Sequence, residues 1–392
     1  MKHPALLLIC LTLLLTSMCF SVACAGGGEE EETSFFDNPW NVMTPAPTST
    51  PVIPSATIPP IVSTQTPDGP VFVTMTFTGD LTIGTNYKVH TNMSGSIFGK
   101  ELKRQNGKQD FFLRNVRDLL LSDDLTVVNF EGTLADSVTV PSDKRGNSFL
   151  FLAPPEFAET LLPNGIEACT MENNHVYDFG ENGFQSTVNA LEGADIVVAR
   201  LDHLAVYEVN GIRIGMLAYQ TFDGRYDMIR GRLQADIDNA RTAGCDIVTV
   251  SYHWGAEKDY HPNSNQQKLA HETIDMGADL VVGHHSHRIN PIEEYNGKYI
   301  VYSLGNFSFA GNNKPSDMLT FLFQIRFKYR RGEMFGTDIR IVPCRISSKT
   351  DYNDFIVTPL TDNFTINTIM TTLRDHGSHI NNPLASYPLE WP

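Results

Sequence analysis

Basic residues are scarce in this chain of 392 residues, which carries 29 Lys and Arg against 45 Asp and Glu, a formal net charge of −16. Only 19% of the residues are charged, and 41% are hydrophobic, enough to bury one large core or two modest ones. Proteins that bind nucleic acid need a basic surface to neutralise phosphates, so the composition argues against a nucleic-acid partner. An anionic substrate would have to be bound by a local positive centre, such as a divalent cation.

Cysteine is also rare. The chain has six, and beyond residue 70 only Cys169, Cys245 and Cys344 remain. An odd number of cysteines in apolar surroundings predicts buried thiols and argues against a disulfide framework in the folded region.

The first apolar run, Leu6–Leu15, is too short for an ordinary transmembrane helix and follows the basic start of the chain. It is typical of a signal peptide over residues 1–24. Two processing sites compete: Ala23-Cys24-Ala25 fits simple signal-peptidase cleavage and secretion, whereas Ser21-Val22-Ala23-Cys24 resembles a bacterial lipoprotein box. We favour a membrane lipoprotein anchored through Cys24, and both alternatives place the protein outside the cytoplasm.

Residues 25–70 predict a disordered tether. A Gly/Glu tract, Gly26–Glu32, precedes a Pro/Thr/Ser-rich stretch from Met43 to Pro70, which has too little apolar surface to repay ordering. The folded domain is predicted over 71–345, and 346–392 is a C-terminal extension that packs on the domain or trails it.

Strand and helix signals alternate from residue 71 onward. Short apolar runs such as Leu125–Asn129 and Asp246–Tyr252 are typical of buried strands, and amphipathic segments separate them. Helices are predicted near Phe111–Leu121, Gly183–Leu191, Gln234–Ala243 and Asn265–Met276, and a hairpin around Arg331-Gly332. This alternation predicts an α/β domain with an extensive central sheet.

Side chains that can bind metal follow the carboxyl ends of five predicted strands. They are Asp80, Glu131, Asn174, His253, and the pair His285 and His287. Each has a simpler explanation alone: Asp80 and Asn174 could be turn residues, and His253 a hydrogen-bonded core histidine. Because loops from several strands converge at that edge of an α/β sheet, we interpret the set as one site for divalent ions.

The segment Gly283-His284-His285-Ser286-His287 directly follows the apolar run Leu280–Val282. A histidine-rich solvated loop is the alternative, but neutral imidazole is a common metal ligand. In an extended backbone His285 and His287 share a face and His284 points the other way, so His284 is expected to support the site without binding metal. A carboxylate and imidazole set favours Mn, Zn or Fe over Mg or Ca alone.

These segments resemble, in order, the motifs of the CapA family, named for capsule and poly-γ-glutamate synthesis and similar to the calcineurin-like metallophosphoesterases. The motifs are Gly79–Gly84, Asn129–Glu131, Asn173–Gly180, Tyr252–Glu257, Gly277–Asp279 with Gly283–His287, and Tyr302–Phe307. The resemblance implies a four-layer α/β/β/α sandwich with two divalent ions. It assigns Asp80 and His287 to one ion, Asn174, His253 and His285 to the other, and Glu131 to both. His175 resembles the family's general-acid or supporting histidine.

Two positions depart from the phosphoesterase pattern. The usual Asp-x-His reads Asp80-Leu81-Thr82, and the bridging Asp is Glu131, which weakens the case for ordinary phosphomonoesterase activity. The resemblance implies a cell-surface role in capsule or poly-γ-glutamate synthesis, export or anchoring. The expected partners are an anionic polymer or small anionic substrate and polymer-synthase subunits. The alternative is a metal-dependent hydrolase acting on a phosphoester or amide bond of a surface substrate.

The lipoprotein hypothesis predicts that Cys24→Ala releases the mature domain or leaves an unprocessed precursor, because the lipid acceptor is removed. Mass spectrometry of the native protein checks this. An unmodified N-terminus at Gly26 would show simple cleavage and secretion instead.

Overall fold

The computed structural model describes residues 69–146, 149–222 and 224–392. The predicted signal peptide, Cys24 and tether residues 25–68 lie outside the described residues. The strands of the described part are β1 (Val71–Thr82), β2 (Thr85–Asn86), β3 (Leu125–Phe130), β4 (Thr133–Leu134), β5 (Phe151–Ala153), β6 (Ala168–Thr170), β7 (Val197–Ala199), β8 (Ala205–Val209), β9 (Ile212–Gln220), β10 (Ile247–His253), β11 (Leu280–His284), β12 (Ile292–Tyr295), β13 (Lys298–Val301), β14 (Asn306–Phe309), β15 (Leu319–Arg330), β16 (Glu333–Arg345) and β17 (Thr358–Pro359).

Six α-helices and several single turns of 3₁₀ helix connect the strands within the described residues. The helices are α1 (Ile97–Arg104), α2 (Arg117–Leu120), α3 (Gly180–Gly193), α4 (Tyr226–Thr242), α5 (Ser264–Asp275) and α6 (Asn363–His376). None of the helices in the described ranges is long and apolar enough to cross a membrane.

Two large sheets face each other. The first has the order β17-β16-β15-β1-β3-β6-β7, with β14 pairing with β1 in addition, and its strands β1, β3, β6 and β7 run parallel. The second has the order β12-β13-β11-β10-β9-β8, with a parallel centre and an antiparallel strand at each edge. A small third sheet, β2-β5-β4, is separate from both.

Apolar side chains fill three layers of core. Between the sheets, alternate residues of β1, among them Val73 and Met75, belong to the same buried cluster as Ile214 of β9. The outer face of the first sheet packs on α1, α2 and α3, and the outer face of the second on α4 and α5. The order helix, sheet, sheet, helix confirms the expected four-layer α/β/β/α sandwich.

The C-terminal segment 346–392 packs on this sandwich. Strand β17 joins the edge of the first sheet, and Ile369 and Leu373 of α6 are fully buried in the core between the sheets. Helix α6 begins after Asp362, whose side chain accepts a hydrogen bond from the Thr365 amide at 2.8 Å.

The predicted helix over 111–121 is wrong as a single element. Phe111–Leu113 forms a 3₁₀ turn, and α2 begins only at Arg117. Phe111, Phe112 and Leu113 are all buried, and consecutive buried residues cannot share one face of an amphipathic helix. The prediction of three buried thiols is confirmed, because Cys169, Cys245 and Cys344 are all free and buried.

The parallel pairing of β1 with β14 depends on a glycine. A Cβ on Gly79 would lie 2.2 Å from the carbonyl oxygen of Gly305, next to the hydrogen bond from the Asp80 amide to that same oxygen. A side chain there would separate the two strands. Overpacking of this kind costs about 1–3 kcal/mol.

We therefore expect Gly79→Ala to lower the free energy of unfolding by about 1–3 kcal/mol, measured by chemical denaturation. Gly231→Ala is the matched control, because Gly231 lies within α4 with open space around its Cα, and this change should stabilise the helix by about 1 kcal/mol. Equal stability of the two variants would contradict the close approach at Gly79.

Candidate metal centre

The six predicted ligands lie at the carboxyl ends of strands from both large sheets. Asp80 is near the end of β1, Glu131 directly follows β3, and Asn174 follows β6. His253 is the last residue of β10, and the loop holding His285 and His287 leaves β11. The two sheets thus contribute carboxylates from one side and imidazoles from the other.

Asp80 is the centre of the first group of contacts. Its carboxylate is fully buried and accepts a hydrogen bond from Asn129 Nδ2 to Oδ1 at 2.8 Å. His287 Nδ1 lies 3.1 Å from Asp80 Oδ2, and His284 Nδ1 lies 3.3 Å from Asp80 Oδ1. Three nitrogen-bearing side chains therefore surround one carboxylate.

His253 is the centre of the second group. Its Nε2 lies 2.8 Å from Asn174 Oδ1 and 3.0 Å from His285 Nδ1. Glu131 Oε1 is 3.6 Å from the same nitrogen. Oxygen or nitrogen atoms of Asn174, His285 and Glu131, each able to bind a cation, thus lie close to His253 Nε2.

Glu131 lies between the two groups. Its side chain is fully buried. One possible ligand atom from each of Asp80, Glu131 and His287 lies within 4.8 Å of the other two. The Thr82 hydroxyl is 3.5 Å from Glu131 Oε2. The carboxylate can therefore reach both the Asp80 side and the His253 side.

Several of these atoms have no hydrogen-bond partner among the described residues. They include Asp80 Oδ2, Glu131 Oε1 and His287 Nδ1, all buried. Asp80 Oδ2 and His287 Nδ1 are close but are not oriented to hydrogen-bond each other. A buried acceptor without a partner is costly, and a shared cation would satisfy these atoms together. The residues therefore fit a divalent metal ion.

The shifted pKa values of the two buried carboxylates agree with a site that binds a cation. Burial, and then the charge of Asp80, raises the pKa of Glu131 to about 7. Burial would also raise the pKa of Asp80, but His284 and His287 hold it well below its ordinary value. Two buried carboxylates repel each other, and a cation between them would remove that repulsion.

The histidines divide into two electrostatic types. Burial, and then nearby histidine charge, holds the pKa of His253 well below its usual range and lowers that of His285 to about 4, so both rings are neutral and can donate a lone pair. Burial would lower the pKa of His287 as well, but Glu131 and Asp80 raise it to about 9.

His175 lies at the edge of the site. Its Nδ1 is 2.9 Å from Asp178 Oδ2, and its Nε2 is 4.0 Å from Glu131 Oε1. The ring packs on Phe151, with 4.5 Å between ring centroids. Burial would lower the pKa of His175, but the hydrogen bond that its ring donates to the Asp178 carboxylate raises it. A histidine oriented by a carboxylate in this way can hold a proton close to the site.

The histidine loop reaches the site through an unusual backbone. His285 and His287 have φ values of 94° and 53°, in the left-handed region that non-glycine residues rarely adopt. The loop is therefore not extended, contrary to the prediction from the sequence. His284, which was expected to point away from the site, is buried and lies close to Asp80.

Sequence reasoning did not single out Asn129. Its amide contacts both Asp80 and His253 Nδ1, the latter at 3.3 Å, so it joins the two groups. Its position two residues before Glu131 on a buried strand was the available signal. Asn173 also supports the site, because its Nδ2 donates to the Phe130 carbonyl at 2.8 Å.

An α/β/β/α sandwich with carboxylates and imidazoles at the carboxyl edges of both sheets defines a class of proteins built around a candidate divalent-metal centre. The model of the bacterial capsule synthesis protein family PGA_cap matches residues 74–310, more than half of the chain. The chain belongs to this family, which confirms the resemblance seen in the sequence.

Two curated relatives are CapA proteins. The chain is 28% identical over 276 residues to the capsule biosynthesis protein CapA of Bacillus anthracis, covering 65% of this chain and 64% of that protein. It is 31% identical over 254 residues to the PGA biosynthesis protein CapA of Bacillus subtilis, and this match covers 59% of this chain and 62% of that protein. The matches thus span less than two thirds of these relatives.

Similarity to more distant proteins is weaker. A probable polyglutamine synthesis accessory protein of Mycobacterium tuberculosis is 30% identical over 211 residues, covering 47% of this chain and 55% of that protein. The solved purple acid phosphatase PPD1 of yellow lupin covers 77% of this chain and 56% of its own, with 11% identity and a TM-score of 0.34. That score is too low to carry an argument, and the fold is evident from the four layers of this chain.

We predict that Glu131→Gln loses bound metal, because the change removes the buried negative charge shared by both groups of ligands. Glu167→Gln is the matched control: this carboxylate accepts from the Thr126 amide near the start of β3, away from the site, and the variant should keep wild-type metal content. Metal per chain is measured by mass spectrometry of the purified protein. Wild-type metal content in Glu131→Gln would refute the site.

His175→Ala should keep its metal, because Asp178 and Phe151 hold this ring beside the candidate ligands and not among them. Loss of metal equal to that of Glu131→Gln would make His175 a ligand. The same metal analysis decides between these outcomes.

Proposed function

We propose that this protein acts at the cell surface in the synthesis, export or anchoring of an anionic capsule polymer such as poly-γ-glutamate, through a site for up to two divalent ions. One observation carries the proposal. The family-matched region, residues 74–310, contains all six candidate ligands and His175, and the fold gathers them at one place. In this proposal Asp80 and His287 would hold one ion, Asn174, His253 and His285 the other, and Glu131 would contribute to both.

The charge of the chain favours recognition through the metal. A net charge of −16 gives no general attraction for a polyanion, so a carboxylate-rich polymer needs a local positive centre. Divalent cations held by only two carboxylates would keep positive charge to offer to a substrate carboxylate.

The partners proposed with this function are the polymer itself and polymer-synthase subunits. The membrane is reached through a lipid on Cys24, or the protein is secreted after simple cleavage. The description of relatives as capsule, PGA and polyglutamine synthesis proteins supports the polymer as partner.

A metal-dependent hydrolase is the second candidate, and the His175 and Asp178 pair favours it. Bound divalent ions would polarise a phosphoryl, acyl or amide group. In this chain Asp178 orients the His175 ring through Nδ1, so that Nε2 faces Glu131 and can give a proton to a leaving group. Phe151 packs beside the His175 ring and Phe309 beside the His287 ring, which gives the site an apolar side.

Thr82 favours the polymer role over ordinary phosphomonoester hydrolysis. It occupies the position where the phosphoesterase pattern has a histidine, and its hydroxyl contacts Glu131. A hydroxyl therefore stands where the phosphoesterase pattern has an imidazole, and a metal ion near Asp80 would have one nitrogen ligand fewer.

Complementation of a deletion strain tests both functions. Wild type and Glu167→Gln should restore cell-bound polymer, measured by extraction and hydrolysis of the capsule, and Glu131→Gln should not, because the metal is lost. Restoration by His175→Ala would favour a polymer-binding role, and failure by this variant would favour hydrolysis. Unchanged polymer in the deletion strain would refute the proposed function.

A further inference from the structure

Three histidines meet on the surface between the loop 254–263 and the end of α6. His261 Nε2 lies 2.6 Å from His376 Nδ1. The ring of His379 packs edge-on against His261, with 4.0 Å between ring centroids. None of the three belongs to the centre described above, and the two groups share no residue.

A carboxylate orients the first of these rings. Asp259 Oδ1 accepts a hydrogen bond from the His261 amide at 2.9 Å and lies 3.3 Å from His261 Nδ1. A proton on Nδ1 that points to this carboxylate leaves the Nε2 lone pair directed at His376 Nδ1, with which it forms a hydrogen bond. Metal-binding histidines commonly have such a carboxylate behind them, which sets the tautomer and raises the basicity of the ligand.

The surroundings suit a cation. His376 is the last residue of α6, where the helix dipole places partial negative charge. The ring of His376 stacks on Tyr260 at 5.1 Å between centroids, which holds it in place. Asp375 and Asp259 add negative charge close to this ring.

We propose that His261, His376 and His379 form a second metal site, which takes a single divalent transition ion of the zinc type, with water or an Asp side chain as a further ligand. His379 is exposed, so its ring can turn to complete the three nitrogens. Three imidazoles are a common zinc ligand set.

The position of this site indicates a structural role, the bracing of two neighbouring loops. It would tie α6, in the C-terminal segment, to the loop that follows β10 and His253. That loop also holds the histidine loop: the Lys258 amide donates to the Ser286 carbonyl at 2.7 Å, and Asn290 Nδ2 donates to the Asp259 carbonyl at 3.0 Å. A metal at the surface site would thus brace the backbone that presents His285 and His287.

The test uses the full chain, stripped with a chelator and loaded with Zn²⁺ or Co²⁺. It is carried out in the wild type and in Glu131→Gln, so that loss of the first centre is separated from loss of the second. His379→Gln alone and His376→Gln with His379→Gln should each bind one zinc fewer per chain than their parent in both backgrounds. His203→Gln, a histidine outside both sites, is the control.

Cobalt gives a second readout. The visible absorption of Co²⁺ bound in the Glu131→Gln background should disappear in the double histidine variant, and zinc should no longer raise its melting temperature. Unchanged zinc stoichiometry and an unchanged cobalt spectrum in the double variant would overturn the proposal. So would zinc retained only at millimolar concentration, which would mean adventitious surface binding.

Discussion

Two fully buried carboxylates, Asp80 and Glu131, are held close together by the neighbouring strands β1 and β3 of the first sheet, and the rest of the site depends on this constraint. Burial and mutual repulsion make such a pair costly unless positive charge lies between them. The imidazoles from β10 and the histidine loop approach from the opposite sheet, and Asn129 connects the carboxylate side to His253. The pair thus explains both the unpartnered buried atoms and the fit to a divalent ion.

Close backbone packing makes this arrangement possible. Gly79 lets β14 run against β1, and Gly283 leaves room for the Trp254 indole and the Tyr302 carbonyl, both of which a Cβ would meet at less than 3 Å. Trp254 is buried and donates to that carbonyl at 3.1 Å, so it packs the wall behind the histidine loop. The strained backbone at His285 and His287 persists because these surroundings hold it.

Family membership and site geometry support the same function at different levels. The family match places the chain among capsule synthesis proteins, while the geometry gathers the candidate cation ligands of this acidic chain at one place. The His175 and Asp178 pair is the observation behind the alternative proposal of hydrolysis. The surface histidines would brace the same loops from outside, through a different ion.

Local patterns in the sequence determined the order of strands and helices, the chemical identity of the candidate ligands and their positions at strand ends. Alternating apolar residues and strand-end polar residues are local signals, and they also carried the family resemblance. Only the tertiary structure decided in which direction each candidate ligand side chain points. The register between β1 and β3 shifts between Phe77 and Asp80, next to a candidate ligand. Positive φ values at His285 and His287 bend the histidine loop away from an extended path, and His284, at the end of β11, also reaches Asp80, against the expectation that it points away. Asn129, and the meeting of His261 with His376 and His379, were equally invisible in the sequence, because these contacts join residues far apart in the chain and depend on how the sheets and α6 pack.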